Sequence, residues 1–125
     1  MIKLIKLSLI LGMAVFFASC ATSMTPIEVN NTLPSLTKST FLSQAQAEEY
    51  VKVNKCKYLV KGRKYTAPMG RSVKDDLRNG AKGIDEWVAL DGGNAYVLVN
   101  YKWIPIDNEG RRTQLHIEFD TLLCD

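Results

Sequence analysis

The stretch Thr113-Gln-Leu-His-Ile-Glu-Phe-Asp-Thr-Leu122 carries the clearest secondary-structure pattern in the chain. Apolar and polar residues alternate along it: Leu115, Ile117 and Phe119 on one side, and Gln114, His116, Glu118 and Asp120 on the other. Because successive side chains of a strand point to opposite faces, this pattern predicts a strand with one face in the core and one in water. The neighbouring sequence must therefore supply the layer that covers the apolar face.

Two further strands are predicted upstream of it. Residues Ala95 to Ile104 are rich in β-branched and aromatic residues, and residues 106–110, Ile-Asp-Asn-Glu-Gly, provide a hairpin turn into the last strand. A third strand runs from Cys56 to Tyr65, where Gly62 indicates a bulge. The three strands together predict a small antiparallel sheet.

Two helices complete the predicted domain. Ser43 and Gln46 have the spacing of a capping box, which predicts a helix from about Gln44 to Val51. Ser72 is a second N-cap candidate, and apolar residues follow it at helical spacing: Val73, Leu77, Ala81, Ile84, Val88 and Leu90. Gly80 and Gly83 weaken this helix by up to about 1 kcal/mol each relative to alanine, so a kink or break is conceivable there. The turn Gly92-Gly93-Asn94 is expected to end it.

The predicted fold class is α+β, in the order helix, strand, helix, strand, strand. We expect a three-stranded antiparallel sheet packed on one face by helix, formed by residues 43–125. Residues 20–42 are rich in Ser, Thr, Asn and Pro and show no hydrophobic period, so they are expected to form a polar tether.

Residues 1–19 have the three regions of a signal peptide. The charged region contains Lys3 and Lys6, the apolar region is Leu7 to Phe17, and the small residues are Ala18 and Ser19. The apolar run of about 11 residues is short of the about 20 that span a bilayer. There are two alternatives to a leader that is cleaved before Cys20. One is an uncleaved membrane helix, and the other is an ordinary secretory leader with Cys20 merely nearby.

The residues Phe17-Ala18-Ser19-Cys20 resemble the cleavage site of bacterial lipoproteins, although Phe17 stands where Leu is usual. The resemblance implies that Cys20 is acylated and becomes the new N-terminus. Several acyl chains hold a protein on a membrane far more firmly than one. Ala21 follows the cysteine, where Asp would favour the inner membrane, so the resemblance implies the outer membrane, facing the periplasm.

The other two cysteines, Cys56 and Cys124, are an even pair in what would be an oxidising compartment. A disulfide between them is predicted, with two buried free thiols as the alternative. Since two of the 16 basic residues lie in the leader, the mature chain has 14 basic against 13 acidic residues. This balance gives no global electrostatic argument for binding nucleic acid.

Residues of about 43–125 also resemble, in their order, the RcsF-like domain of small bacterial envelope lipoproteins and a related lipoprotein group. The matching features are Cys56 after a helix, the strand to Gly62, Leu77-Arg78-Asn79, Gly92-Gly93-Asn94 before Ala95-Tyr-Val-Leu-Val, and the late Cys124. The resemblance implies an α+β fold closed by a disulfide. RcsF itself has four domain cysteines, and only one pair is found here, so its signalling role is not carried over.

Catalytic and metal chemistry have little support in this sequence. The only histidine, His116, shares a strand face with Glu118 and Asp120, but a zinc site needs three or four converging ligands. The turn at Gly92 follows a helix rather than preceding one, so it is no phosphate site. We therefore predict no catalytic residue, no metal ligand and no cofactor.

The first strand is basic and carries interleaved aromatic residues: Lys55, Lys57, Lys61, Arg63 and Lys64 with Tyr58 and Tyr65. Such a pattern suits anionic lipid headgroups or a cell-surface polymer, or a charged edge strand that resists aggregation. The leading hypothesis is a non-enzymatic envelope lipoprotein, held in the membrane through Cys20, that binds an envelope protein or an anionic envelope polymer. A small periplasmic hydrolase and a structural surface lipoprotein are the alternatives.

Overall fold

Seven elements make up the folded domain in the computed structural model, which describes residues 26–109 and 112–125. In chain order they are α1 (Pro26–Leu36), β1 (Thr40–Leu42), α2 (Gln44–Lys52), β2 (Cys56–Thr66), α3 (Val73–Leu90), β3 (Ala95–Pro105) and β4 (Thr113–Cys124). The leader and Cys20 lie outside the described residues. None of the described helices has the length and apolar character needed to cross a membrane.

The last strand, β4, lies inside the sheet, as its alternating pattern requires. The strand order is β1-β3-β4-β2, and β4 pairs antiparallel with both of its neighbours. Leu115, Ile117 and Phe119 are buried on one face, whereas the polar residues between them are partly exposed on the other. The predicted division of β4 into a core face and a polar face is confirmed.

The sheet has one strand more than predicted, so the expected three-stranded antiparallel sheet is a four-stranded mixed one. The additional strand, β1, pairs in parallel with the start of β3, with Thr40 opposite Ala95 and Leu42 opposite Val97. A strand of three residues is too short to show an alternating pattern. The intervening α2, β2 and α3 supply the long crossover that parallel pairing requires.

The expectation of an unstructured tether is wrong for residues 26–42, which belong to the fold. Val29 and Leu33 of α1 are each only 1% exposed and lie in the main core. The chain after α1 is held by Asp85, whose carboxylate accepts hydrogen bonds from Lys38 N at 2.8 Å and Ser39 N at 2.9 Å. The predicted start of the domain at residue 43 therefore moves to the beginning of α1.

Helix α3 runs without a break from Val73 to Leu90, so the kink considered at its glycines does not occur. A Cβ at Gly80 would lie 2.7 Å from Ile117 Cδ1, and one at Gly83 would overlap the ring of Tyr65. The two glycines thus let α3 lie close to the sheet.

The turn after α3 ends the helix as predicted. Gly92 has φ +80°, and the amides of Gly92 and Gly93 donate to Ala89 O and Val88 O, which is the Schellman arrangement. Leu90, the last of the apolar residues at helical spacing, is 76% exposed because it lies on the far side of the last turn. The N-caps at Ser43 and Ser72 are both present.

Helices pack on both faces of the sheet, over most of one face and over a smaller part of the other. On the first face, α1 and α3 pack over a core that includes Tyr96 and Phe119. On the second face, α2 covers the region around Val97 and Leu122, with Ala47 fully buried. The expectation of helix on a single face is therefore corrected, and the second face stays open beyond α2.

Tyr96 joins the main core to the chain between α1 and β1. Its hydroxyl lies 3.0 Å from Thr37 Oγ1, and its ring makes edge contacts with Phe41 and Phe119. Burial raises the pKa of Tyr96 from 10.0 to about 12, ahead of the opposing effect of the Thr37 hydrogen bond. The phenol is thus uncharged over the whole physiological pH range.

Candidate functional site

The uncovered half of the second sheet face forms a shallow groove of about 290 Å³. We call it the open groove and define it by six side chains: Lys64, Thr66, Asn100, Lys102, His116 and Glu118. They come from β2, β3 and β4, whose pairing fixes their order across the sheet. The alternating pattern of β4 predicted the polar face, but the sequence does not say which neighbours stand beside it.

The strand register places the six side chains in two rows. His116 stands opposite Thr66 on one side and Lys102 on the other, and Glu118 stands between Lys64 and Asn100. The two lysines belong to the strands that flank β4, so their backbones are about 10 Å apart. A ligand lying across β4 would therefore meet a cation on each side.

The lysines of the open groove are not ion-paired with the glutamate between them. Lys64 and Lys102 are exposed, and among the described residues neither forms an ion pair with Glu118. Asn100 Oδ1 accepts the Tyr101 amide at 2.9 Å, which orients its side-chain amide. The groove thus offers two free ammonium groups at its rim, with the Glu118 carboxylate and the side-chain amide nitrogen of Asn100 between them.

A second groove of about 560 Å³ lies beside the first, between α2 and the sheet, and Glu118 lines both. Here Lys61 Nζ lies 4.2 Å from the centre of the Tyr58 ring, and Asp120 Oδ1 accepts the Gly62 amide at 2.8 Å. Burial is the main cause that raises the pKa of Tyr58, and the negative charges of Asp120 and Glu48 raise it further. Lys61 thus adds a third cation, at the edge of the sheet that carries Lys64.

The basic strand predicted from the sequence is β2, which lies at an edge of the sheet. Residues 50–74 contain eight Lys and Arg residues and no Asp or Glu. The described lysines of β2 are exposed, and Gly62, with φ +72°, lies within the irregular part of the strand. The edge position agrees with the interpretation that these charges resist aggregation, and it also leaves them accessible to a partner.

Arg63 differs from the lysines around it because it belongs to the other face. It forms an ion pair with Asp91 and stacks on Trp87, with its guanidinium carbon 4.0 Å from the ring centre. Thr121, fully buried, donates to Asp91 Oδ2 at 2.8 Å. The prediction that Arg63 belongs with the basic residues available to a partner is therefore wrong. Its own partner, Asp91, is 28 residues away, so no local pattern in the sequence reveals the ion pair.

The predicted disulfide is present between Cys56 and Cys124, whose Cα atoms are 4.0 Å apart. The two residues face each other in the pairing of β2 with β4. Asn94 fixes the end of β4, since its side chain donates to Cys124 O at 2.7 Å and accepts from Cys124 N at 2.8 Å. Asn94, a residue of the turn that ends α3, thus also supports the disulfide.

Hydrolytic chemistry has weak geometric support in the open groove. Thr66 Oγ1 lies 3.4 Å from His116 Nδ1, beyond the about 3.2 Å expected for a nucleophile and its base. In residues 26–109 and 112–125, no three His, Cys, Asp or Glu side chains converge as a metal site requires. The arrangement is suited to recognition by charge and hydrogen bonding.

Comparison of the chain with known protein families, with curated proteins and with solved structures finds no match in any of the three. The kind of ligand that suits the groove is therefore inferred from the groove residues alone. Ammonium groups of Lys64 and Lys102 suit anionic groups, while Glu118 and Asn100 suit hydroxyl or amide groups of the same ligand.

Proposed function

We propose that this chain is a lipoprotein of the bacterial cell envelope, anchored through acyl chains on Cys20, which binds another envelope component and catalyses no reaction. The disulfide between Cys56 and Cys124 carries the proposal, because such bonds persist in exported proteins and are rare in the cytosol. The signal-peptide pattern of residues 1–19 provides the route to that compartment. The proposed location is the outer membrane, facing the periplasm, in keeping with Ala21 after the cysteine.

The proposed partner is an anionic envelope polymer bound across the open groove. Polymers of the envelope combine sugar hydroxyls with carboxylate or phosphate groups. Lys64 and Lys102 would receive the anionic groups, and Glu118 would accept hydrogen bonds from hydroxyls between them. The free lysines of the groove favour such a polymer over a protein partner, because lysine is depleted at protein–protein interfaces.

The anchor is tested by replacing Cys20 with serine. Only a thiol accepts the diacylglyceryl group, so Cys20→Ser is expected to lose all label from a clickable fatty acid fed to the cells. Ser23→Ala, three residues on, is the matched control and should label like the wild type. Label retained by Cys20→Ser would contradict the anchor, and wild-type protein banding with the inner membrane in a density gradient would contradict the location.

The groove is tested by co-sedimentation of the detergent-solubilised full chain with purified peptidoglycan. Lys64→Gln/Lys102→Gln is expected to weaken binding about tenfold, since two exposed charge contacts contribute about 1–2 kcal/mol together. Lys74→Gln/Lys82→Gln removes the same charge from exposed positions on α3 and should bind like the wild type. Equal losses in both variants would rule out the groove, and no binding by the wild type would rule out this polymer.

A further inference from the structure

We infer that the folded domain is held within about 20 Å of the membrane that carries its lipid, and that the component it binds must come close to that membrane. The inference rests on the proposed acylation of Cys20. It follows from the position of α1, which turns most of the expected tether into part of the domain. Only residues 21–25 remain between the acylated cysteine and the first residue of α1.

Helix α1 cannot serve as a spacer because it is built into the core. Val29 and Leu33 are each 1% exposed and share a cluster with Ile84 and Phe119 of the sheet-and-helix core. Releasing α1 would expose these side chains to water and leave an open cleft above the sheet.

The segment after α1 is fixed just as firmly. Asp85 of α3 accepts two backbone amides from this segment, and the Thr37 hydroxyl lies against Tyr96. Strand β1 then pairs with β3 over three residues. The chain from α1 to β1 is therefore held at both ends and along its length.

The reach of the linker sets the distance to the membrane. Six Cα-to-Cα steps lead from Cys20 to Pro26, and a fully extended chain covers about 20 Å in that number of steps. A domain of about 100 residues is about 35 Å across. Any ligand in the open groove would then lie within about 55 Å of the lipid headgroups.

The outer surface of α1 is compatible with this position. Its exposed side chains include Asn30, Asn31 and Ser35, which are polar and uncharged. Glu28 is the one acidic residue of the helix. Because the charge of α1 is low, an anionic membrane surface would repel it little. With the short linker, this position means that the proposed polymer is bound within about 55 Å of the headgroups.

The experiment measures the distance from α1 to the bilayer by energy transfer. Acylated full-length protein carrying Asn31→Cys is labelled with a donor dye; the chain's other cysteines are acylated or bridged. It is placed in vesicles of phosphatidylethanolamine and phosphatidylglycerol with acceptor dye on the headgroups. The donor is expected within about 30 Å of the acceptor plane, from the linker and about one and a half turns of helix.

A spacer variant provides the control. Twenty Gly and Ser residues inserted between Ser23 and Met24 add a mean reach of about 25 Å, so energy transfer should fall clearly. Native transfer as low as that of the spacer variant, with the donor far from the acceptor plane, would overturn the inference while leaving the lipid anchor intact. Mass analysis of the N-terminal peptide reports acylation separately: an unmodified Cys20 would refute the proposed function, and the inference with it.

Discussion

Replacing Cys56 and Cys124 together with alanine is expected to lower the free energy of unfolding by about 2–5 kcal/mol. The bridged residues are 68 positions apart, so the disulfide restricts most of the unfolded chain. A domain of this size has a net stability of about 5–15 kcal/mol, of which the expected loss is a large share. Because the loop contains β2, α3, β3 and β4, the whole domain should lose stability in one transition.

The position of β2 makes the bridge more important than loop length alone suggests. This strand is at the sheet edge, and its pairing with β4 has two register shifts, between Tyr58 and Val60 and between Val60 and Arg63. An irregular edge strand specifies its register weakly. The disulfide fixes Cys56 opposite Cys124 and thereby sets the register from one end.

Denaturant melts of residues 26–125 without lipid would measure this effect. The chain must begin with α1, because residues 43–125 alone lack the buried Val29 and Leu33. Wild-type protein with added reductant should melt at the midpoint of Cys56→Ala/Cys124→Ala, since both lack the same covalent bond. If the oxidised wild type and the double variant had equal midpoints and slopes, the bridge would contribute nothing to the free energy of unfolding.

The predictable parts of the fold are those whose patterns are local. The alternation in β4, the capping box at Ser43 and the Schellman turn at Gly92 each depend on residues within about ten positions, and the structure has all three. Local rules act wherever the rest of the chain lies. They therefore predicted the antiparallel core of the sheet and its two flanking helices.

The missed parts depend on contacts that are distant in sequence. Helix α1 has Val29, Leu33 and Leu36 at helical spacing, but Pro34 inside it and many polar residues around it concealed the pattern. Gly80 and Gly83 weaken a helix in isolation, and only the closeness of the sheet explains their presence. Both cases are tertiary requirements that override local preference.

The open groove was predictable only in part. Glu118 and His116 follow from the polar face of β4, and the free basic residues of β2 follow from its composition. The placement of Lys64 and Lys102 on opposite sides of β4 needs the strand order, which no local pattern gives. Arg63 lies on the opposite face from Lys64, as alternation requires, but its pairing with the distant carboxylate of Asp91 leaves no local pattern.

The ion pair between Arg63 and Asp91 leads to the second large prediction, a loss of about 2–4 kcal/mol in the free energy of unfolding for Asp91→Ala. Removing one partner of a buried pair costs about 3–5 kcal/mol because the other charge is left uncompensated. The Arg63 side chain is 25% exposed and that of Asp91 is 6% exposed, so water relieves part of the cost on the arginine. Thr121 also loses the acceptor of its hydrogen bond.

Arg63→Met should be at least as destabilising as Asp91→Ala, which distinguishes this pair from a surface salt bridge. Asp91 is the C-cap of α3, where the helix dipole is unfavourable for a negative charge. Without the guanidinium, an almost buried carboxylate would remain at that negative end. Methionine keeps contact with Trp87, so the comparison isolates the charge.

A double-mutant cycle over Arg63→Met, Asp91→Ala and their combination would separate the ion pair from the packing around it. Since the combined variant leaves no buried charge without a partner, it should lose less stability than the two single losses added together. The expected coupling is about 1–3 kcal/mol, measured by denaturant melts at low and high salt. Strictly additive losses would mean that the pair is solvated and that Arg63 acts on Trp87 alone. A surface pair on α3, Asp75 with Arg78, is the matched control and should show coupling below about 0.5 kcal/mol.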